Sequence, residues 1–309
     1  MRELRKAGLW AVALVLVVLA GDRLASAVLD QVVQRSRFRF SEIQRPGIDA
    51  DIVIVGDSRG VTSINVPVVE KIAGRRTYSL CYNGMATKIG EALLDDYLDH
   101  NRPPRLLIVE VTSLIEPMKL SPELKTYAKE SPRLGAIYAE EHPIAARAAR
   151  VFHLLRFNSE LYLRALYYLR RSDQDWSNWA TISPADVEGA RSAPTWRLDP
   201  TPGNLDALER IVRLARSRNI ELRLLVGPYL PQYLARAVNA GPFIAAVEQR
   251  VHRVDPSLHV WNYAGAVGEP ALFADVLHLN DRGTDAFMRI LQRDGFFAEM
   301  AQRASLRRP

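Results

Sequence analysis

A serine in a glycine-flanked turn and a histidine with a carboxylate close by are the residue types that acyl transfer needs. A serine hydroxyl attacks a carbonyl when a base takes its proton, and neutral imidazole serves when a carboxylate holds its other ring nitrogen. The chain carries Gly56-Asp57-Ser58-Arg59-Gly60 and, far downstream, Asp275-Val276-Leu277-His278. The two glycines permit a tight turn that exposes the Ser58 hydroxyl and turns backbone N–H groups toward a developing negative charge. Asp275 and His278 are three apart, so one helical or turn-like arc sets carboxylate and imidazole on the same side. Each motif also has a plain structural reading: Asp57 or Ser58 as a helix N-cap, and Asn280 or Asp281 opening a helix behind an incidental His278.

The other five histidines lack such company. His100, His142, His153 and His252 fall in charged or helical surface patterns, and His259 reads as a core or edge residue starting the last strand. Arg59 reads as a solvated turn arginine, with an anionic substrate as its alternative partner. Cys81, the only cysteine, reads as a small core residue, which excludes an intramolecular disulfide and a Cys-based zinc site. With no Walker loop, dinucleotide fingerprint or His-rich cluster, chemistry without a cofactor is expected.

Ser58 and His278 meet only if a sheet carries both to one edge. Five β-rich apolar runs supply it: Ile52–Val55, Thr77–Cys81, Leu106–Val111, Leu222–Val226 and Leu258–Trp261. Helical patterns lie near Pro67–Ala73, Lys88–Leu98, Leu205–Ser217, Phe243–Val254 and Asp281–Gln292. This alternation predicts a flavodoxin-like three-layer α/β/α sandwich around a parallel sheet of about five strands, with ligands outside the carboxyl ends of the strands. The stretch from about 116 to 202 breaks the alternation. It reads as a helical insertion rich in aromatics (Phe152, Phe157, Tyr162, Tyr167, Tyr168), packing that stripe into a core or forming a cap over the strand ends.

The formal net charge is +6, yet five of those charges lie in the first six and last ten residues. The near-neutral body lacks the basic stripe that nucleic acid requires. At the N-terminus, Arg2, Arg5 and Lys6 precede the apolar run Gly8–Ala20, then Asp22, Arg23 and a second apolar stretch, Leu24–Val33. The segment is expected to be an uncleaved anchor, with a signal peptide cut after Ala27 as the alternative. Both export the body, with Arg2, Arg5 and Lys6 on the cytoplasmic side. The expected organisation is an anchor and exported helix over 1–35, an α/β body over 36–299 and a basic tail over 300–309.

Gly56-Asp57-Ser58 after the first strand, Gly84 after the second and Asp275-x-x-His278 near the C-terminus resemble the SGNH/GDSL hydrolase superfamily. The likeness falls in its membrane-anchored branch, related to alginate and exopolysaccharide acetylation proteins and teichoic-acid D-alanylation proteins. The resemblance covers about 51 to 292. It implies Ser58 as nucleophile, His278 as base, Asp275 as its orienter, and the N–H groups of Ser58 and Gly84 as an oxyanion hole. The family's asparagine after strand three is missing from Val109-Glu110-Val111-Thr112-Ser113, so Asn83, Thr112 or Ser113 would have to donate instead. The implied function is transfer of an acyl group, acetyl foremost, to a cell-envelope or exopolysaccharide glycan at the bacterial inner membrane. The catalytic body is then periplasmic and the donor a multi-pass O-acyltransferase partner. A carbohydrate esterase or deacetylase and a non-catalytic glycan-binding scaffold are the alternatives.

Overall fold

The computed structural model describes residues 1–157 and 159–298; the basic tail expected over 300–309 lies outside them. Two compact units are present. The first joins residues 1–44 to 120–172, and the second joins 45–119 to 173 and beyond.

The second unit holds a five-stranded sheet: β1 (Ile52–Val55), β2 (Thr77–Ser79), β3 (Leu106–Glu110), β4 (Glu221–Val226) and β5 (Val260–Asn262). Every neighbouring pair is parallel, in the order β2-β1-β3-β4-β5. β1 and β3 are buried along their whole length, which is why they are unbroken apolar runs rather than alternating ones. Side chains still alternate between faces. Ile52 and Ile54 enter a core with Val69, Phe287 and Leu291, whereas Val55 meets the helix Thr87–His100 at Gly90.

Right-handed crossovers explain that division. The chain moves one way along the sheet from β1 to β2 and the opposite way through β3, β4 and β5, so the connecting helices fall on opposite faces. Thr87–His100, Pro202–Ser217 and Ala240–His252 pack side by side, while Ser58–Ser63, Val66–Ala73 and the C-terminal Asp281–Arg293 pack together. This is the expected three-layer sandwich. Its direction reverses between β1 and β3, the switch point where such sheets bind ligands.

The first unit is helical. Its N-terminal helix, Arg2–Arg35, is long and apolar enough to cross a membrane. Beyond Asp22 that helix packs on the turn His153–Arg156 and the helix Ser159–Tyr167. Asp22 accepts hydrogen bonds from the N–H groups of His153 (2.8 Å) and Leu154 (3.0 Å), and Asp30 pairs with Lys129 (3.0 Å) and Arg156 (3.4 Å). The aromatics at 152–168 do not form one buried stripe: Phe152 is 42% and Tyr167 58% exposed, while Tyr168 stacks on Phe38.

Candidate active site

The chain leaves β1 into a short helix, Ser58–Ser63, capped by Asp57, whose carboxylate accepts from the Arg59 N–H at 2.8 Å. The capping role of Asp57 is compatible with chemistry at Ser58, because the cap leaves Ser58 at the first helical position with its hydroxyl free of the cap. Gly56 and Gly60 are needed for closeness rather than for a left-handed turn. A Cβ on Gly56 would stand 2.7 Å from Cβ of Glu110, and one on Gly60 would stand 2.5 Å from Sγ of the buried Cys81.

His278 arrives from the other side of the switch point on a tight loop. Phe273 and Leu279 bridge its ends and are buried, and Asn280 caps the following helix through Gly283 (3.0 Å) while donating to Ala271 O (3.0 Å). Within the loop Asp275 Oδ1 accepts from the N–H groups of Leu277 (2.8 Å) and His278 (2.9 Å), the turn that short acidic side chains build onto their own backbone. The His278 Nδ1 edge lies 2.8 Å from Asp275 Oδ2, and its Nε2 lies 2.8 Å from Ser58 Oγ. Serine, imidazole and carboxylate form one continuous chain of hydrogen bonds. Partial burial works to raise the Asp275 carboxyl, but hydrogen bonds from the His278 ring and the Leu277 N–H outweigh it and hold the group below the ordinary range. An ionised Asp275 fixes the tautomer that leaves Nε2 able to accept.

Arg59 is neither solvated nor turned toward a ligand, contrary to expectation. It is buried beneath Ser58, with its guanidinium carbon 3.3 Å over the Tyr229 ring. It donates to Gly227 O (2.5 Å), Pro228 O (3.2 Å) and Leu277 O (3.3 Å), and its Nε lies 3.7 Å from Glu110. Leu277 directly precedes His278, so Arg59 ties the serine turn to the histidine loop. Glu110, at the end of β3, accepts from the N–H groups of Thr112 (3.0 Å) and Gly227 (3.2 Å). Burial and then the Glu110 charge push the Asp57 carboxyl up to about 8. At neutral pH Asp57 therefore keeps its proton beside the buried Arg59–Glu110 pair.

The donors suggested in place of the absent asparagine divide. Thr112 Oγ1 donates to the buried Glu110 carboxylate (2.5 Å), and Ser113 Oγ donates to Glu110 O (2.8 Å), so both hydroxyl hydrogens are already taken. Asn83 and Gly84 form an exposed turn just after β2, with Gly84 at φ +63°, a left-handed conformation that suits glycine. His259 is exposed directly before β5, the edge strand of the sheet, which fits the edge reading and not the core one. Among the described residues no group of three or more His, Cys, Asp or Glu side chains is arranged to hold a metal.

No family model matches the chain, and no curated protein matches it. Solved structures do resemble it. A protein assigned as an acylhydrolase from Bacteroides fragilis NCTC 9343 is 12% identical, with a TM-score of 0.39, over 85% of this chain and 93% of that one. A protein described as a platelet activating factor from Streptococcus pneumonia is 14% identical, with a TM-score of 0.38, over 88% and 98%.

Proposed function

We propose that the chain is a membrane-tethered acyl-transfer enzyme of the SGNH type that carries an acyl group, acetyl foremost, on Ser58 and passes it to a hydroxyl of a cell-envelope or exopolysaccharide glycan. The observation behind this reading is the hydrogen-bonded sequence Ser58 Oγ, His278 Nε2, His278 Nδ1, Asp275. In the first half-reaction His278 Nε2 takes the Ser58 proton as Oγ bonds to the donor's carbonyl carbon. The resulting oxyanion collapses, and the imidazolium returns the proton to the leaving oxygen. In the second half, neutral His278 takes the proton of the glycan hydroxyl, that oxygen attacks the acyl-serine, and Ser58 recovers its proton. The N–H groups of Ser58 and Gly84, with Asn83, are the candidate oxyanion donors.

The N-terminal helix supports tethering, since holding the body near a membrane-embedded donor, such as a multi-pass O-acyltransferase, raises the effective concentration. In this reading Arg2, Arg5 and Lys6 stay cytoplasmic and the body is periplasmic. An esterase or deacetylase of the same fold is the second reading. It is favoured by the openness of the pair to water, with the Asp275 side chain 54% exposed.

The test is to incubate the protein with an activated acetyl ester and seek the added acetyl group on Ser58 by mass spectrometry. Acyl-enzyme that persists until an oligosaccharide is added supports transfer, and rapid loss to water supports the esterase. Ser58→Ala is expected to lower turnover by about 10⁴-fold or more. Equal labelling of wild type and Ser58→Ala would leave a non-catalytic glycan-binding role.

A further inference from the structure

The Gly8–Ala20 run covers about 20 Å as a helix, against about 30 Å for the hydrocarbon of a bilayer. A span confined to it is about a third too short. The residues that follow are arranged inside out. Asp22, Ser26 and Asp30, which share one stripe of the helix, are buried, whereas Leu24 is 71% and Val28 63% exposed. A helix surrounded by water turns its apolar stripe inward and its polar one outward.

The segment covering that polar stripe is itself apolar on the outside. Phe152 is 42% and Leu155 56% exposed, on a turn whose backbone N–H groups are held by Asp22. Ile144 and Val151, two turns apart on the preceding helix Pro143–Val151, are 78% and 50% exposed, with Arg147 between them on the same face. Asp22 and Arg23 neutralise each other at this level, since Arg23 donates to Asp22 (2.6 Å) and to Val151 O (2.7 Å). Apolar side chains mixed with arginines beside an apolar helix make the composition of an interfacial surface.

We infer that the Phe152–Leu155 turn is seated in the bilayer, in the leaflet opposite the N-terminus, as a collar on the N-terminal helix. Lipid then covers Leu24, Val28, Phe152 and Leu155, and the helix stays in apolar surroundings from Gly8 to Leu29, about 33 Å. Arg147 and Arg150 sit where anionic headgroups lie. The inference rests on the reading of the N-terminal helix as a membrane span.

The experiment uses the full chain in nanodiscs of phosphatidylethanolamine and phosphatidylglycerol with no other protein present. Nitroxide labels are placed through Phe152→Cys, Leu155→Cys, Val15→Cys and Arg35→Cys, and the unsubstituted chain, whose Cys81 is buried, is the labelling blank. Labels at 152 and 155 are expected to show an oxygen-to-nickel-chelate collision ratio at least about threefold above that at 35, as for groups roughly 5–10 Å into the interface. If 152 and 155 match 35 while 15 reports lipid, the collar is overturned and the span stands. If 15 also matches 35, the span itself fails. Labels at 152 and 155 shielded from both probes would mean cover by another protein copy, which also overturns the inference.

Discussion

A single guanidinium joins the two halves of the candidate site. Arg59 reaches three carbonyl oxygens, two after β4 and one directly before His278, and its charge answers the fully buried Glu110. Lysine keeps the charge but not the planar fork that serves several acceptors at once. Arg59→Lys is therefore expected to lower kcat by about 10²-fold, with KM for a small acetyl ester changed far less, because the loss is in the placement of His278 against Ser58. Steady-state kinetics decides it; equal changes in kcat and KM, or none, would show that Arg59 only fills space. The sequence could not rank this residue. An arginine next to a candidate nucleophile is read by default as solvated, and the glutamate that buries it is brought close only when β3 pairs with β1.

The element that presents Ser58 depends on two close approaches. Gly60 lies on the Ser58–Ser63 helix against Cys81, so Gly60→Ala is expected to destabilise the protein by about 1–3 kcal/mol despite alanine's better helix propensity. Adding Cys81→Ala should recover most of that loss, and thermal unfolding of the two single variants and the double variant measures the coupling. Independent, additive losses would place the cost elsewhere. The helix behind His278 has a comparable dependence on Asn280, whose side-chain cap and loop hydrogen bonds are lost in Asn280→Ala. A loss of about 0.5–2 kcal/mol is expected from the cap, accompanied by a fall in kcat that a loop-independent cap would not cause. At this scale the sequence was informative about strands. β1 has the expected limits, and the others differ by one to three residues at their ends. The Ser58–Ser63 helix shows in the sequence only as a tight turn with Asp57 or Ser58 as a possible N-cap, because six residues are too few for a 3.6-residue period to appear.

Stability of the whole molecule should carry the mark of Asp57. Its folded carboxyl keeps its proton to about pH 8, whereas an ordinary aspartate releases it near 3.8, so between those values the unfolded chain binds fewer protons than the folded one. Stability therefore falls as pH rises from about 4 to about 8 and this contribution is flat above that. Asp57→Asn keeps an N-cap and removes the titration, so the difference between variant and wild type in urea midpoint should widen steadily across that window. A constant difference would mean that Asp57 titrates normally.

The amino-acid sequence by itself determined the strands, the parallel α/β class, the apolar N-terminal helix and the candidates Ser58, Asp275 and His278, because hydrophobic period, run length and local spacing act within one segment. Tertiary structure alone decided that Ser58 and His278 lie 2.8 Å apart and that Thr112 and Ser113 are spent on Glu110. It also decided that the polar stripe of the N-terminal helix is the buried one. Each of these depends on pairing or burial between segments distant in sequence, which no local pattern encodes.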